Sequence, residues 1–437
     1  MRANILKIPL IAALASAAVA AVAQQAEPGV PAATVIAIPP MTTPDTGTRG
    51  NEMLAIAWQA TQIIEADLRQ TSELVPLKPD QKDYYSYPEV TAPSFSTWRA
   101  KGARALVTGF VQMRSDGRLT FGCYVYDIDK RRELARRGFV VAANDVRRAA
   151  HRCSSLAYQA VTGSPANFDT RIAYVAETGT PGNIVKRIAL MDSDGRNHSY
   201  LTAGDTLVLT PRLSPSANRI AYVSFSEGSP QVRLIDLATN QQSALIPTQT
   251  TSFAPRFSAD GNRILFSMMQ GPNCDIYVVN AAGGPAQRLT TAPGIDTGGS
   301  FSPDGRQIVF ESDRSGTQQL YVMNADGSGQ RRISFGGGVY AAPEWSPDGQ
   351  WIAFTHRGPY GRRIGVMKVD GSEERLLTTG PNDDSASWAA SSRELLFQRP
   401  DQTGRPGLFR IGLDGSAPRQ MTIPQPGSDP DWSGATE

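Results

Sequence analysis

The chain has 437 residues, with 43 Lys and Arg against 41 Asp and Glu, a formal net charge of +2. So even a balance argues against a nucleic-acid binder, which carries a basic excess. The length is ample for a large core without covalent staples, and the three cysteines, Cys123, Cys153 and Cys274, allow at most one disulfide.

The first 23 residues read as a signal peptide: a basic start at Arg2 and Lys7, an Ala-rich apolar run over 8–22, and a small-residue cleavage site at Ala21-Val22-Ala23. The apolar run is too short for a good membrane span. No cysteine follows the cleavage site, so a lipid anchor is not supported. The expectation is an exported, soluble chain starting at Gln24. An oxidising compartment would permit pairing of Cys123 with Cys153, which share a domain; three buried thiols are the alternative.

Residues 24–165 read as one mixed α/β domain. A strand at 34–38 is bounded by Pro39-Pro40. A helix follows over 51–69, with Leu54, Ala57, Trp58, Ala60 and Ile64 on its apolar face and Asp67 and Arg69 outside it. Leu74-Val75 is a short strand, 95–101 a short helix and 105–109 another strand. Residues 119–127 and 133–141 alternate well enough to form a meander. Asn144-Asp145 then caps a helix reaching about Val161, and Gly163-Ser164-Pro165 ends it.

Residues 166–437 carry a period of about 44 residues. An apolar or aromatic anchor recurs at Leu213, Phe257, Phe301, Trp345, Trp388 and Trp432, in the middle repeats just before Ser-Pro-Asp-Gly or a variant such as Ser258-Ala259-Asp260-Gly261. Within each unit, Pro and Gly set a tight turn and β-branched and aromatic runs mark strands. Second strands recur as Ile220-Ala221-Tyr222, Ile264-Leu265-Phe266, Ile308-Val309-Phe310, Ile352-Ala353-Phe354 and Leu395-Leu396-Phe397. Four short strands per unit is the size of a propeller blade. Ile172-Ala173-Tyr174 is a second strand with no anchor before it, and Trp432 an anchor with no second strand after it. The C-terminal strand should therefore close the first blade. The predicted fold is an α/β N-terminal domain followed by an all-β six-bladed propeller.

Catalytic chemistry is hard to find. No G-x-S-x-G elbow is present, and too little chain remains for a hydrolase domain. His151, His198 and His356 show no metal-ligand spacing. Asp192-Ser193-Asp194-Gly195 resembles the start of a calcium loop, but no Glu stands at its twelfth position, and the hairpin turns of other blades share the pattern. Asp383-Asp384 precedes the fifth anchor, where it could hold a cation or a basic partner group or be a solvated loop. No catalytic residue, cofactor or metal is expected. A periplasmic propeller enzyme, peptidase-related or a lyase, is the alternative.

The passage Ala150-His151, Leu156-Ala157, Val161-Thr162-Gly163 and Phe168-Asp169-Thr170-Arg171-Ile172-Ala173-Tyr174-Val175, together with the domain order and the Ser-Pro-Asp-Gly repeats, resembles the TolB family. The resemblance covers essentially the whole mature chain. It implies a non-enzymatic periplasmic adaptor of the Tol–Pal envelope system. Such proteins bind the lipoprotein Pal at the propeller mouth and TolA through the N-terminal domain. They support outer-membrane integrity and constriction at cell division, and some bacteriocins exploit the Pal site. Carried over to this sequence, the resemblance points to Thr251, Ala254, Pro255 and Thr297. The repeat's symmetry adds Tyr340, Ala341, Asp384 and Ser385, with Arg256 and Glu344 as polar anchors. The segment before Pro31 departs from the family: residues 24–30 contain Pro28 and Gly29 and make a poor strand.

Overall fold

The computed structural model describes residues 33–71, 73–77, 86–180, 182–246 and 250–434. The expected signal peptide and residues 24–30 lie outside the described residues.

The N-terminal unit is a five-stranded sheet with two helices packed on one face. Its elements are β1 (Thr34–Ala37), α1 (Gly47–Arg69), β2 (Leu74–Leu77), α2 (Phe95–Ala100), β3 (Ala105–Met113), β4 (Leu119–Asp127), β5 (Arg132–Val141) and α3 (Val146–Thr162). The strand order is β2-β1-β3-β4-β5, parallel across β2-β1-β3 and antiparallel from β3 to β5. α1 and α3 cover it through Met53, Ala57, Ala60, Ile64 and Leu68 on one helix and Ala149, Ala150, Cys153 and Ala157 on the other. Cys123 on β4 and Cys153 on α3 form a disulfide that fastens helix to sheet, and Cys274 stays a buried thiol. Gly163 ends α3 at φ 74°, a left-handed C-cap that glycine adopts without penalty. Asp145 is the N-cap residue of α3, but its side chain makes no cap hydrogen bond.

The apolar face of α1 differs from the expected one. Leu54 and Trp58 are exposed, while Asp67 is buried. The buried stripe runs through 53, 57, 60, 64 and 68, and Asp67 turns inward because α3 places His151 beside it.

Among the described residues the propeller is six four-stranded antiparallel sheets. Their innermost strands are Gly427–Trp432, Val208–Leu213, Ser252–Phe257, Asp296–Phe301, Val339–Trp345 and Asp384–Trp388, in blades one to six. Blade one takes its innermost strand from the C-terminus: Trp432 pairs with Ile172 and Gly427 with Ala176. Closure leaves no long free sheet edge. The third residue of each second-strand motif, Tyr174, Tyr222, Phe266, Phe310, Phe354 or Phe397, is fully buried and fills its blade.

The repeated turn owes its sequence to hydrogen bonding. Ser302 Oγ donates to Asp304 Oδ1 (2.6 Å) and accepts from the Gln307 amide (2.9 Å), while Gly305 sits at φ 68°. Ser258 and Ser346 repeat these bonds in the neighbouring blades.

All six inner strands run in one direction. Loops leading into them, and hairpins between second and third strands, therefore share one mouth of the channel, called here the front. The Ser-Pro-Asp-Gly turns and the hairpins between third and fourth strands lie at the back. The N-terminal unit docks on the back of blades one and six. Arg147 of α3 pairs with Asp192 and Asp194, Asn167 exchanges hydrogen bonds with Ser391, and Trp432 Nε1 donates to Thr170 Oγ1 at 2.8 Å.

Candidate functional site

Two rings of residues line the channel, and both are consequences of the 44-residue period. The first ring is a bulge in every inner strand, at Thr210, Ala254, Gly298, Ala342, Ser385 and Asp429, with φ values of 46°, 50°, 66°, 48°, 56° and 49°. Register shifts mark the same places. Only blade four uses glycine. The other five carry side chains in the left-handed region, each at a cost of about 1–2 kcal/mol. The bulge turns the front end of each strand and presents these positions to the channel.

The second ring sits one residue before each anchor: Arg212, Arg256, Ser300, Glu344, Ser387 and Asp431. Where this residue can accept a hydrogen bond, it takes the amide of the next blade's anchor. Asp431 accepts from Leu213 (2.7 Å), Ser300 from Trp345 (3.3 Å), Glu344 from Trp388 (3.1 Å) and Ser387 from Trp432 (3.0 Å). Arginine has no acceptor, so Arg212 and Arg256 cannot do this. Their charges serve instead: Arg256 Nη1 lies 2.7 Å from Glu344 Oε2 and 3.6 Å from Asp431 Oδ1, and Arg212 Nε lies 3.7 Å from Asp431 Oδ1. Two cations and two anions leave the ring neutral. Burial pushes the Asp431 carboxyl up to about 6 against the pull of Arg212 and Arg256. Burial lowers the Arg212 guanidinium, and its neighbour Arg256 adds to that.

The expected partner-binding residues divide between surface and wall. Thr251, Ala254, Ala341, Asp384 and Ser385 are half-buried near the front mouth. Pro255 is buried, and Thr297 is buried with its hydroxyl 2.8 Å from that of Ser267. Tyr340 does not stand at the mouth as an exposed aromatic. It is 1% exposed, packed against Phe354 and His356, and its hydroxyl donates to Glu374 at 2.6 Å. Arg256 and Glu344 point at each other across the channel and are not surface anchors. Their offset of one from Phe257 and Trp345 was the signal that they share a ring. Asp383 and Asp384 hold no open cation site: Arg399 grips Asp383 with two bonds (2.6 and 2.9 Å), and Arg362 takes Asp384 (2.6 Å).

The front face also carries residues that sequence reasoning passed over. Leu207, Ile295 and Phe335 lie in loops leading into inner strands, and Ile184, Met269 and Tyr360 lie at hairpins between second and third strands; all six are exposed. Phe335 and Tyr360 are 73% and 74% exposed, and the guanidinium groups of Arg332 and Arg363 lie 5.3 and 5.4 Å from their rings. Isolated exposed apolar residues are ordinary; these six are distributed around the front end of the blades. Beneath them Glu311, paired in register with Thr297, is buried; burial pushes its carboxyl up to about 7, against a hydrogen bond from the Ala342 amide (3.1 Å).

His356 Nε2 is 2.8 Å from the Gly337 carbonyl, and His198 packs between Tyr174 and Tyr200.

A family model for the TolB beta propeller domain matches residues 158–436, and one for the TolB amino-terminal domain matches residues 27–134. The Tol-Pal system protein TolB of Zymomonas mobilis is 46% identical over 212 residues, which is 48% of this chain and 46% of that protein. The Tol-Pal system protein TolB 1 of Novosphingobium aromaticivorans is 44% identical over 210 residues, 47% of each chain. The chain spans about half the length of these curated relatives. The crystal structure of TolB from Acinetobacter baumannii superposes with a TM-score of 0.75 at 27% identity, covering 92% of this chain and 97% of the other. With both domains matched in order and the propeller model covering well over half of its residues, the chain belongs to the TolB family.

Proposed function

We propose that this protein is a non-enzymatic, periplasmic adaptor of the Tol–Pal system, divided near residue 165 into a TolA-binding N-terminal domain and a Pal-binding propeller. Pal docks on the front face. The observation that carries this reading is the contrast between that face and the back: the front carries exposed apolar side chains and, among the described residues, no part of the N-terminal domain, which sits on the back of blades one and six. Thr251, Ala254, Ala341, Asp384 and Ser385 contact Pal at the channel mouth, with Phe335 and Tyr360 at the rim. Thr297 and Pro255 shape the wall behind them, and bacteriocins that mimic Pal use the same mouth. TolA is met by the N-terminal domain, where Leu54 and Trp58 leave an apolar patch one helical turn apart on α1. Through these contacts the protein supports outer-membrane integrity and constriction during cell division. Among the described residues no helix is long and apolar enough to cross a membrane.

The test is calorimetric titration of the purified protein with the periplasmic domain of Pal from the same organism. Binding that Phe335→Ser and Tyr360→Ser each weaken, with unchanged melting temperature, supports the reading. No binding at about 50 μM, a free energy near −6 kcal/mol, contradicts it.

A further inference from the structure

α3 carries a buried histidine whose second ring nitrogen has no use in the domain packing. His151 Nδ1 lies 2.7 Å from Asp67 Oδ2, while Nε2 has no hydrogen-bond partner although the residue is only 3% exposed. A buried polar group left unpaired costs about 1–3 kcal/mol, so such a site calls for an occupant. Across the domain boundary, the back hairpin of blade one brings up Asp192 and Asp194. One imidazole nitrogen of His151 and one carboxylate oxygen of each aspartate lie within 4.8 Å of one another. Asp67 occupies Nδ1, so Nε2 is the nitrogen left to face them. A cavity of about 250 Å³ opens beside the cluster, with His151, Asp192, Asn197 and Ser199 in its wall.

We propose that this interdomain cluster binds a first-row transition-metal dication, Zn²⁺ fitting best, through His151 Nε2, Asp192 and Asp194, with water from the cavity completing the shell. An imidazole nitrogen among the donors selects against Mg²⁺ and Ca²⁺, which take oxygen ligands. Asp67 supplies the outer carboxylate that metal-bound histidines use to fix tautomer and ring orientation. Charge favours the same occupant. Three carboxylates gather here, Asp67, Asp192 and Asp194; Arg147 pairs with the last two, and the buried Arg410, whose guanidinium bonds the Ser193 carbonyl between them, brings a second positive charge near Asp194. Arg147 donates from Nε to Asp192 Oδ2 at 3.2 Å and pairs with Asp194 Oδ2. Asn197 Nδ2 also donates to Asp192 Oδ2 (2.7 Å), and the Arg196 amide to Asp194 Oδ1 (3.1 Å). Arg148, on the cavity wall, is turned to Asp169 (3.7 Å). Arg147 is thus the resident cation with which the metal shares its two carboxylates. Ligand atoms around a tetrahedral zinc with bonds of about 2.0–2.2 Å stand about 3.4 Å apart, so the side chains need to close by about an ångström. Because one ligand comes from the N-terminal domain and two from the propeller, the ion would clip the domains together.

The test is titration of the untagged, EDTA-treated full chain with Zn²⁺, with Co²⁺ absorption as a second readout. The expected result is one equivalent bound per chain. Asp67→Asn should weaken binding by about 10–100-fold through loss of the outer carboxylate. Asp194→Asn, at the half-buried edge of the turn, should weaken it at least as much. Arg147→Met should tighten it by removing the competing cation. No stoichiometric binding below about 100 μM metal overturns the proposal. So does an affinity unchanged in both Asp194→Asn and Asp67→Asn, which marks adventitious binding elsewhere.

Discussion

The front and back of the propeller are made by the same six repeats, yet they do opposite work. At the back, each inner strand ends in an apolar anchor, and Trp345, Trp388 and Trp432 give their amides to Ser300, Glu344 and Ser387 of the preceding blade. The turns there repeat one hydrogen-bonding scheme, and the N-terminal domain sits on blades one and six. At the front, strands bend through left-handed bulges, a glutamate is buried at a cost, and Phe335 and Tyr360 stand in solvent. Inter-blade hydrogen bonding is concentrated at one end of the channel, and strained backbone and exposed apolar side chains at the other. The difference teaches that a closed repeat can carry strain and apolar exposure on one face because the other face holds the ring shut.

The comparison can be broken most strongly at the back. Trp432→Ala removes the anchor that closes blade one and the Nε1 bond to Thr170. It should cost about 3–5 kcal/mol, read as a large fall in melting temperature. A small change would mean that the C-terminal strand does not bear the closure.

The front offers an effect of opposite sign. Below about pH 4.5 Glu311 is neutral in both the folded and the unfolded chain. As pH rises towards 7, the unfolded chain ionises it and the fold resists, so stability is lost across that window and stays lost above it. Glu311→Gln should therefore stabilise the protein by on the order of 2–3 kcal/mol at pH 8 and leave it unchanged near pH 4. Denaturant unfolding at the two pH values decides this; equal gains at both would contradict the burial of an ionisable group.

A smaller gain tests the strained ring. Ala254→Gly gives blade three the residue that blade four already uses at Gly298. It should add about 0.5–1 kcal/mol, since the relieved left-handed strain exceeds the entropy cost of glycine. The smallest expected stability effects are those of Phe335→Ser and Tyr360→Ser, within about 0.5 kcal/mol, because both side chains are largely in water.

The blades and their closure were legible because a period of 44 repeats one local solution: the turn serine, the turn glycine and the buried aromatic of the second strand all recur at fixed offsets. The domain order was legible from the loss of that period before residue 166. What one repeat cannot show is how six residues meet across a channel. Arg256 and Glu344 looked like docking groups because each is a polar residue beside an anchor. They are partners because closure brings side chains from blades two apart together, Arg256 Nη1 to within 2.7 Å of Glu344 Oε2. The repeat's symmetry put Tyr340 among the mouth positions, yet Glu374 and Phe354 draw it inward. Asp67 was set outside the face of α1 because periodicity counts apolar residues, and a buried aspartate follows only from a histidine 84 positions away. The exposed Phe335 and Tyr360 left no signal beyond their position in loops of the front face.

The central claim is that the front mouth is the docking surface for Pal. Its most direct measurement is the affinity of the Pal periplasmic domain for Ala254→Arg. Position 254 already holds a non-glycine residue at φ 50°, so arginine adds bulk and charge at the mouth with the backbone requirement unchanged. The account predicts at least a tenfold weaker Kd, a loss of about 1.4 kcal/mol, with the melting temperature preserved. A normal affinity in a folded variant would contradict it and move the docking site away from this mouth.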